Sequence, residues 1–253
     1  MTSSRVVYCM GVTSSMDFVN IQDDVRQAFG WSYVEDVKSA RGLRDACNQY
    51  ELGQECGWSS DQRHGHLHSL KDRLNSAACI VLVGAAAISD ELCREWPRDT
   101  EFIACDGAVG ACLPHVNPLC VVTDLDGGPH LDLAAAQHVT MVVHAHGDNT
   151  ELWKECLQRW QVHQCPLILT HQTHEDFEDM LNPGGFTDGD RALCLLVALE
   201  IPLEKVVLVG YKEDAVGPWS GQTDPIRKLE KLTWMAKILD AILPAWRSSA
   251  PPE

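Results

Sequence analysis

Residues 119–127 read Leu-Cys-Val-Val-Thr-Asp-Leu-Asp-Gly, a strand-like apolar run that ends on two carboxylates and a glycine. Between Cys105 and Arg191 the chain repeats this kind of island at Phe102–Ala108 (FIACDGA), Val143–Asn149 (VHAHGDN) and Gly185–Arg191 (GFTDGDR). Short apolar runs that alternate with helical patterns are the signature of parallel strands joined by crossover helices. Parallel strands point their C-terminal ends at one crevice, so four acidic islands in register converge on one sheet edge. Clustered carboxylates on such an edge suit a hard cation such as Mg²⁺ holding phosphate oxygens. A single Asp-Gly pair is an ordinary turn signal; it is the register of four that argues for a metal-phosphate site.

Working outward, strands are expected at Cys79–Val83, Phe102–Cys105, Leu119–Thr123, Thr140–His144, Leu167–Thr170 and Val206–Val209. Helices are expected at Asp90–Trp96, Leu131–His138, Thr150–His163 with Thr150 as its N-cap, Asp188–Leu199, and Asp224–Leu243. The last carries Ile226, Leu229, Leu232, Met235, Ile238, Leu239 and Ile242 at helical spacing between Pro225 and Pro244, with Lys228 and Lys231 on its polar face. The reading is an α/β fold with a mainly parallel sheet. Its boundaries are residues 1–76 as a smaller, mostly helical N-terminal appendage, 77–245 as the catalytic domain, and 246–253 as a disordered tail.

Composition narrows the partners. Thirty-six acidic residues against twenty Lys and Arg give a formal charge of −16, with no basic block to neutralise a nucleic acid or an anionic membrane. The longest apolar run, Ala77–Ile88, falls short of the roughly 20 residues a bilayer requires. Eleven scattered Cys without a CxxC pair fit a reducing cytoplasm, and Cys79, Cys120 and Cys194 lie in apolar runs as small hydrophobes. His64, His66 and His68 lack cysteines at finger spacing and read as surface histidines. His144 and His146 could bind a transition metal, but the neighbouring Asp and Gly favour a Mg²⁺ setting.

Asp124 and Asp126 are one residue apart, so in extended backbone both face one side and can share a cation. Gly107, Gly127 and Gly147 permit close backbone approach and positive φ beside the acids.

The islands FIACDGA, VVTDLDG (Val121–Gly127), VHAHGDN and GFTDGDRA, with VLVG at Val207–Gly210 and KLEKLTWMAK at Lys228–Lys237, resemble the archaeal 6-hydroxymethyl-7,8-dihydropterin diphosphokinase family over residues 78–243. That family is related to the thiamin pyrophosphokinases. The resemblance implies Mg²⁺-dependent transfer of diphosphate from ATP to the hydroxymethyl oxygen of a reduced pterin, with release of AMP. The setting it implies is archaeal biosynthesis of tetrahydromethanopterin or a folate-like cofactor. The expected partners are these small molecules, with a homodimer as the assembly. On this basis Asp106, Asp124, Asp126 and Asp148 are assigned to metal, and Asp148 or a metal-bound water takes the hydroxyl proton. Arg191, Lys228 and Lys231 contact phosphates, while Thr187, Asp188, Asp190 and Asn149 bind nucleotide or pterin. Gly84, Ser89, Gly107, Thr123, His144 and His146 complete the expected substrate-binding set.

Two departures from the family stand out: Gly84 is followed by Ala85, Ala86 and Ala87 where a Gly-rich loop with Pro and Ser is usual, and Gly210 by Tyr211, Lys212 and Glu213. Three rivals remain at this stage. One is thiamin as the acceptor. A second is a haloacid-dehalogenase-like phosphatase, whose signature the DLDG island imitates out of context. The third is a nucleotide-binding module without turnover. Trp219 is expected to be a packing anchor rather than a lid.

Overall fold

The computed structural model describes residues 15–51, 58–221 and 223–248. Six strands, β1 (Cys79–Val83), β2 (Thr100–Cys105), β3 (Cys120–Thr123), β4 (Thr140–Ala145), β5 (Leu167–His171) and β6 (Val206–Val209), form one sheet in the order β5-β4-β3-β2-β1-β6. Every pairing is parallel. A sheet covered by helices on both faces buries both sets of side chains, which is why these strands read as continuous apolar runs rather than alternating ones. The six expected strands are all present, with ends shifted by at most two residues.

Three helices precede the sheet: α1 (Ser15–Phe29), α2 (Tyr33–Glu51) and α3 (Ser60–Ser76). The crossovers add α4 (Ser89–Cys93), α5 (Val109–Cys112), α6 (Pro129–Ala136), α7 (Thr150–Trp160) and α8 (Asp188–Ala198), and α9 (Pro225–Ile242) closes the fold. Helix α7 starts one residue earlier than a Thr150 cap would require. A 3₁₀ turn at Gly147–Asn149 precedes it, capped by the His146 side chain, and Asn149 takes the cap position of α7 itself.

Alternation along each strand sends side chains to two cores. On one face Val81, Val83, Val121, Val143 and Leu169 pack with Leu43 and Cys47 of α2 and with Trp153 and Trp160 of α7. On the other Ile80, Leu82, Ile103, Val122 and Val142 pack with Phe18 and Val25 of α1, Leu70 and Leu74 of α3, and the apolar sides of α8 and α9. The N-terminal helices therefore help to cover both faces. All the described cysteines but Cys93 are buried, including Cys79, Cys120 and Cys194. Among the described residues no helix is long and apolar enough to cross a membrane. Of the expected tail, Trp246–Ser248 forms a 3₁₀ turn and residues 249–253 lie outside the described set.

The topology places two crevices at the C-terminal edge. The helices that follow β1 through β4 pack on the first face, whereas α8 and α9, which follow β5 and β6, pack on the second, the link after β5 laying Phe177 and Met180 on the first core on its way. Neighbouring strands whose continuations diverge leave a gap between them, here at β1/β6 and at β4/β5. The start of α8 runs across the strand ends between the two gaps.

Candidate active site

The carboxylates sit between those gaps. Asp106 follows β2, Asp124 and Asp126 follow β3, and Asp188 opens α8. Oxygens of Asp106, Asp124 and Asp188 lie within 4.8 Å of one another. Asp106 is positioned by Thr123, whose hydroxyl donates to Asp106 Oδ1 at 2.5 Å and accepts from the Leu125 amide at 2.8 Å. Asp124 and Asp126 line one cavity, but through a left-handed turn at Leu125 (φ 82°) rather than through extended backbone. Leu125 buries its side chain in the core, and that burial anchors the turn. Such a conformation is costly for a branched residue and persists only where the surroundings enforce it.

Gly107 and Gly127 meet face to face: a β-carbon on Gly127 would stand 2.4 Å from the Gly107 nitrogen and 2.6 Å from Asp106 Oδ2. The expected close approach of backbones is present. The expected positive φ falls elsewhere, at Asp106 (φ 50°), Leu125 and Gly128 (φ 77°) rather than at Gly107, Gly127 or Gly147.

Crowding sets the protonation of these acids. Burial pushes the Asp188 carboxyl up to about 8, reinforced by Asp124 and partly opposed by Arg191. Burial likewise raises Asp106 well above the carboxylate range, with Asp188, Asp124 and Asp126 adding to it, and raises Asp126 with help from Asp124. Asp124 also suffers burial, yet its contact with His146 and the charges of Arg191 and Lys231 outweigh that and hold it far below the usual range. Asp124 Oδ1 is buried without a hydrogen-bond partner among the described residues. Three oxygens this close, mutually repulsive and one of them unpartnered, fit a hard divalent cation.

The cavity at β1/β6 is narrow, about 60 Å³, and is walled by Gly84–Ala86, Asp106, Thr187–Gly189, Gly210–Lys212, Trp219 and Lys228. Ala86 N donates to Gly210 O, and Trp219 donates from its backbone to Ala85 O and from its indole to Ala87 O. Trp219 thus anchors the alanine-rich loop. The cavity at β4/β5 is wider, about 300 Å³, lined by Trp31, Asp124, Asp126, His146, Asp148, Gln172, Phe186, Arg191, Arg227 and Lys231.

One wall of that wider cavity comes from the N-terminal helices. Asp36 of α2 accepts from the Gly147 amide at 2.8 Å, from Gln172 Nε2 at 2.9 Å and from Arg26 of α1 at 3.3 Å. A carboxylate only accepts, so the Gln172 amide nitrogen faces Asp36 and its oxygen faces His144 Nε2 at 3.2 Å. His144 therefore donates from Nε2 and accepts from Thr170 at Nδ1, 3.0 Å away. Burial, with the Arg191 charge adding to it, holds this imidazole neutral, well below its ordinary pKa.

The chain is 35% identical over 196 residues to the 6-hydroxymethyl-7,8-dihydropterin pyrophosphokinase of Pyrococcus furiosus, a match covering 76% of this chain and 75% of that protein. The proteins of the same name from Methanothermobacter thermautotrophicus and Methanocaldococcus jannaschii are 35% identical over 150 residues and 34% over 123. The first match covers 54% of this chain and 61% of the relative, the second 46% and 48%. No family model matches. The chain belongs to the 6-hydroxymethyl-7,8-dihydropterin pyrophosphokinase family. It is accordingly an enzyme of the diphosphotransferase class.

Within this pyrophosphokinase framework the expected site residues divide. Asp106, Asp124, Asp126, Thr123 and Gly107 are drawn together at the acids, and Asp188 joins them. Arg191 donates to Asp188 Oδ1 at 2.8 Å and to Phe186 O at 2.7 Å. Lys228 borders the narrow cavity and Lys231 the wide one. Asp148 is exposed on the wall of the wide cavity, outside the three-carboxylate group. Asn149 ties two loops together by donating to Asp124 O and His144 O. Asp190 caps α8 through the Phe186 and Thr187 amides and lies outside the three-carboxylate group. Gly84 sits on the narrow cavity, whereas Ser89 lines neither cavity and contacts His115 at 3.2 Å. The residues that sequence reading missed are Trp31, Asp36, Gln172 and Phe186. Phe186 lies within the GFTDGDR island without a polar group to mark it, and the other three belong to no island and join the site only through the fold.

Proposed function

We propose that this enzyme transfers diphosphate from Mg²⁺-ATP to the hydroxymethyl oxygen of 6-hydroxymethyl-7,8-dihydropterin, releasing AMP, within a pterin-cofactor biosynthesis of the archaeal type. The observation that carries the reading is the Asp106–Asp124–Asp188 group set between two cavities, room for two substrates on either side of one cation position. The relatives' shared name supplies the acceptor.

Asp106, Asp124 and Asp188 would hold the cation, with Asp126 beside them. A divalent ion there supplies neutralisation of phosphate oxygens, which lets an anionic chain accept an anionic nucleotide. Lys228, Lys231 and Arg191 place positive charge along the path between the cavities, where phosphoryl transfer needs alignment and charge more than covalent help. The hydroxymethyl oxygen attacks the β-phosphorus, the bond from that phosphorus to the α,β-bridging oxygen breaks, and AMP leaves with the bridging oxygen. Asp148, a carboxylate on the acceptor side, takes the hydroxyl proton. His144 stays neutral and holds the strand end in place.

The test is an incubation with Mg²⁺, ATP and the reduced hydroxymethylpterin, with nucleotides separated by chromatography. AMP formed in equal amount to pterin diphosphate is expected. ADP or free phosphate as the nucleotide-derived product rejects the reading, and AMP formed only with thiamin moves the acceptor.

A further inference from the structure

The wide cavity has an aromatic wall that the phosphate chemistry does not use. Trp31 lies in the link between α1 and α2 and is half-buried, unlike Trp58, Trp153 and Trp160, which are buried in the core. Phe29 stacks against it at 5.1 Å between centroids, and Phe186 braces it at 5.7 Å. The indole lies nearly parallel to the His146 ring, 19° between planes and 6.4 Å between centroids, and both rings line the cavity. His146 Nε2 is 3.5 Å from Asp124 Oδ2. Lys231 and Arg227 stand 5.5 and 5.8 Å from the indole centroid. A tryptophan face braced from behind, open to a cavity and ringed by cations is a platform for a flat heterocycle whose substituent carries phosphate.

We propose that Trp31 is the stacking platform for the pterin ring and that the nucleotide's phosphates enter from the narrow cavity. This deepens the proposed function and rests on it. Distance from the reacting atoms decides which ring belongs here. In ATP the base is separated from the β-phosphorus by a ribose, its 5′-carbon and an entire phosphate, whereas the pterin ring is separated from the attacking oxygen by one methylene. Trp31 is a single imidazole away from Asp124. An adenine stacked there would place its β-phosphorus beyond the acids, and a pterin would place its hydroxymethyl oxygen beside them. Among the described residues the narrow cavity has no comparable open face, since Trp219 uses its indole N–H on Ala87 O and packs edge-on against His130, while Tyr211 packs its ring on Gly84 and donates its hydroxyl to Gly189 O. The N-terminal helices would then supply acceptor specificity.

The experiment compares wild type, Trp31→Ala and Trp31→Phe by steady-state kinetics, with calorimetric titration of 6-methyl-7,8-dihydropterin, which has the ring but no reacting hydroxyl. Expected is a KM for the hydroxymethylpterin raised roughly tenfold or more in Trp31→Ala, an unchanged KM for ATP, weakened binding of the methylpterin, and recovery in Trp31→Phe. A raised KM for ATP with the pterin unaffected, no change in either, or equal loss of both with a lowered melting temperature overturns the assignment. Wild type that binds the methylpterin in a Trp31-dependent way yet yields no AMP would reject the proposed reaction and retain the platform.

Discussion

The two walls of the wide cavity are built in different ways. On the sheet side, acids are held within a few residues of a strand end by local devices: the Thr123 bridge, the left-handed turn at Leu125 and the Gly107–Gly127 contact. On the opposite side, Trp31 and Asp36 are held by long-range packing of α1 and α2, and Asp36 reaches Gly147 and Gln172, more than 100 residues away in sequence. The first wall concentrates negative charge where chemistry occurs. The second supplies shape and a fixed hydrogen-bond pattern. Loss of the first should remove catalysis with little effect on folding, and loss of the second should disturb folding and acceptor binding together.

Asp124→Asn gives the largest effect in that contrast. Asn keeps the shape and one oxygen but removes the charge that pairs with His146 and leaves the cation position a ligand short. Turnover is expected to fall by about 10³, the scale of losing one preorganised electrostatic contact. The melting temperature without metal should change little, because relief of repulsion on Asp106, Asp126 and Asp188 offsets the lost pairing. A variant with wild-type turnover breaks the assignment of the first wall.

The same division explains what the sequence made legible. All six strands and the four islands were readable because their signals are local: apolar runs for buried parallel strands, then Asp and Gly within a turn. Belonging to one edge also followed, since parallel topology imposes it. What local reading missed depends on partners distant in sequence. Asp188 joins Asp106 and Asp124 only because α8 crosses the sheet. Asn149 and Asp190 also clamp loops, a role that depends on the folded positions of Asp124, His144 and the Phe186–Thr187 backbone. Trp31 sits in a polar stretch where nothing adjacent marks it, and it becomes a wall only when α1 and α2 cover the sheet. The departures at Gly84 and Gly210 proved mutually fitted: Gly210 holds φ 69° against Ala87, and the two loops bond at Ala86 N.

Asp36→Ala should give the next largest effect and of a different kind. Arg26 and Asp36 are both buried, and removing the carboxylate leaves the guanidinium with Asp23 and the Gln172 carbonyl while the Gly147 amide and Gln172 Nε2 lose their acceptor. Two donors left without an acceptor, at about 1–3 kcal/mol each, cost about 3 kcal/mol together, measurable by urea unfolding. The KM for the pterin should rise more than the KM for ATP, since the loop 146–149 and Gln172 border the acceptor cavity. If stability were unchanged and turnover alone collapsed, the second wall would belong with the first.

The smallest effect separates the walls by pH. His171, at the end of β5, is buried edge-on against Phe177, which lies beneath the Arg44 guanidinium of α2. Burial lowers its pKa from 6.5 to about 4. The unfolded chain takes up a proton near 6.5 and the folded chain does not until about 4, so folding stability is full above 6.5 and declines as pH falls between those values. Between roughly pH 7.5 and 5 the single-site loss is about 2 kcal/mol. On the acidic wall the sign is opposite, because protons relieve carboxylates that burial and one another have raised. His171→Asn keeps an acceptor for the Thr173 amide, which the imidazole Nδ1 meets at 3.2 Å, and cannot titrate. Its unfolding free energy, followed from pH 7.5 to 5, should fall less steeply than that of wild type by that same amount. Parallel curves for the two proteins would mean that the cover provided by α2 is wet, and that the second wall is looser than its hydrogen bonds indicate.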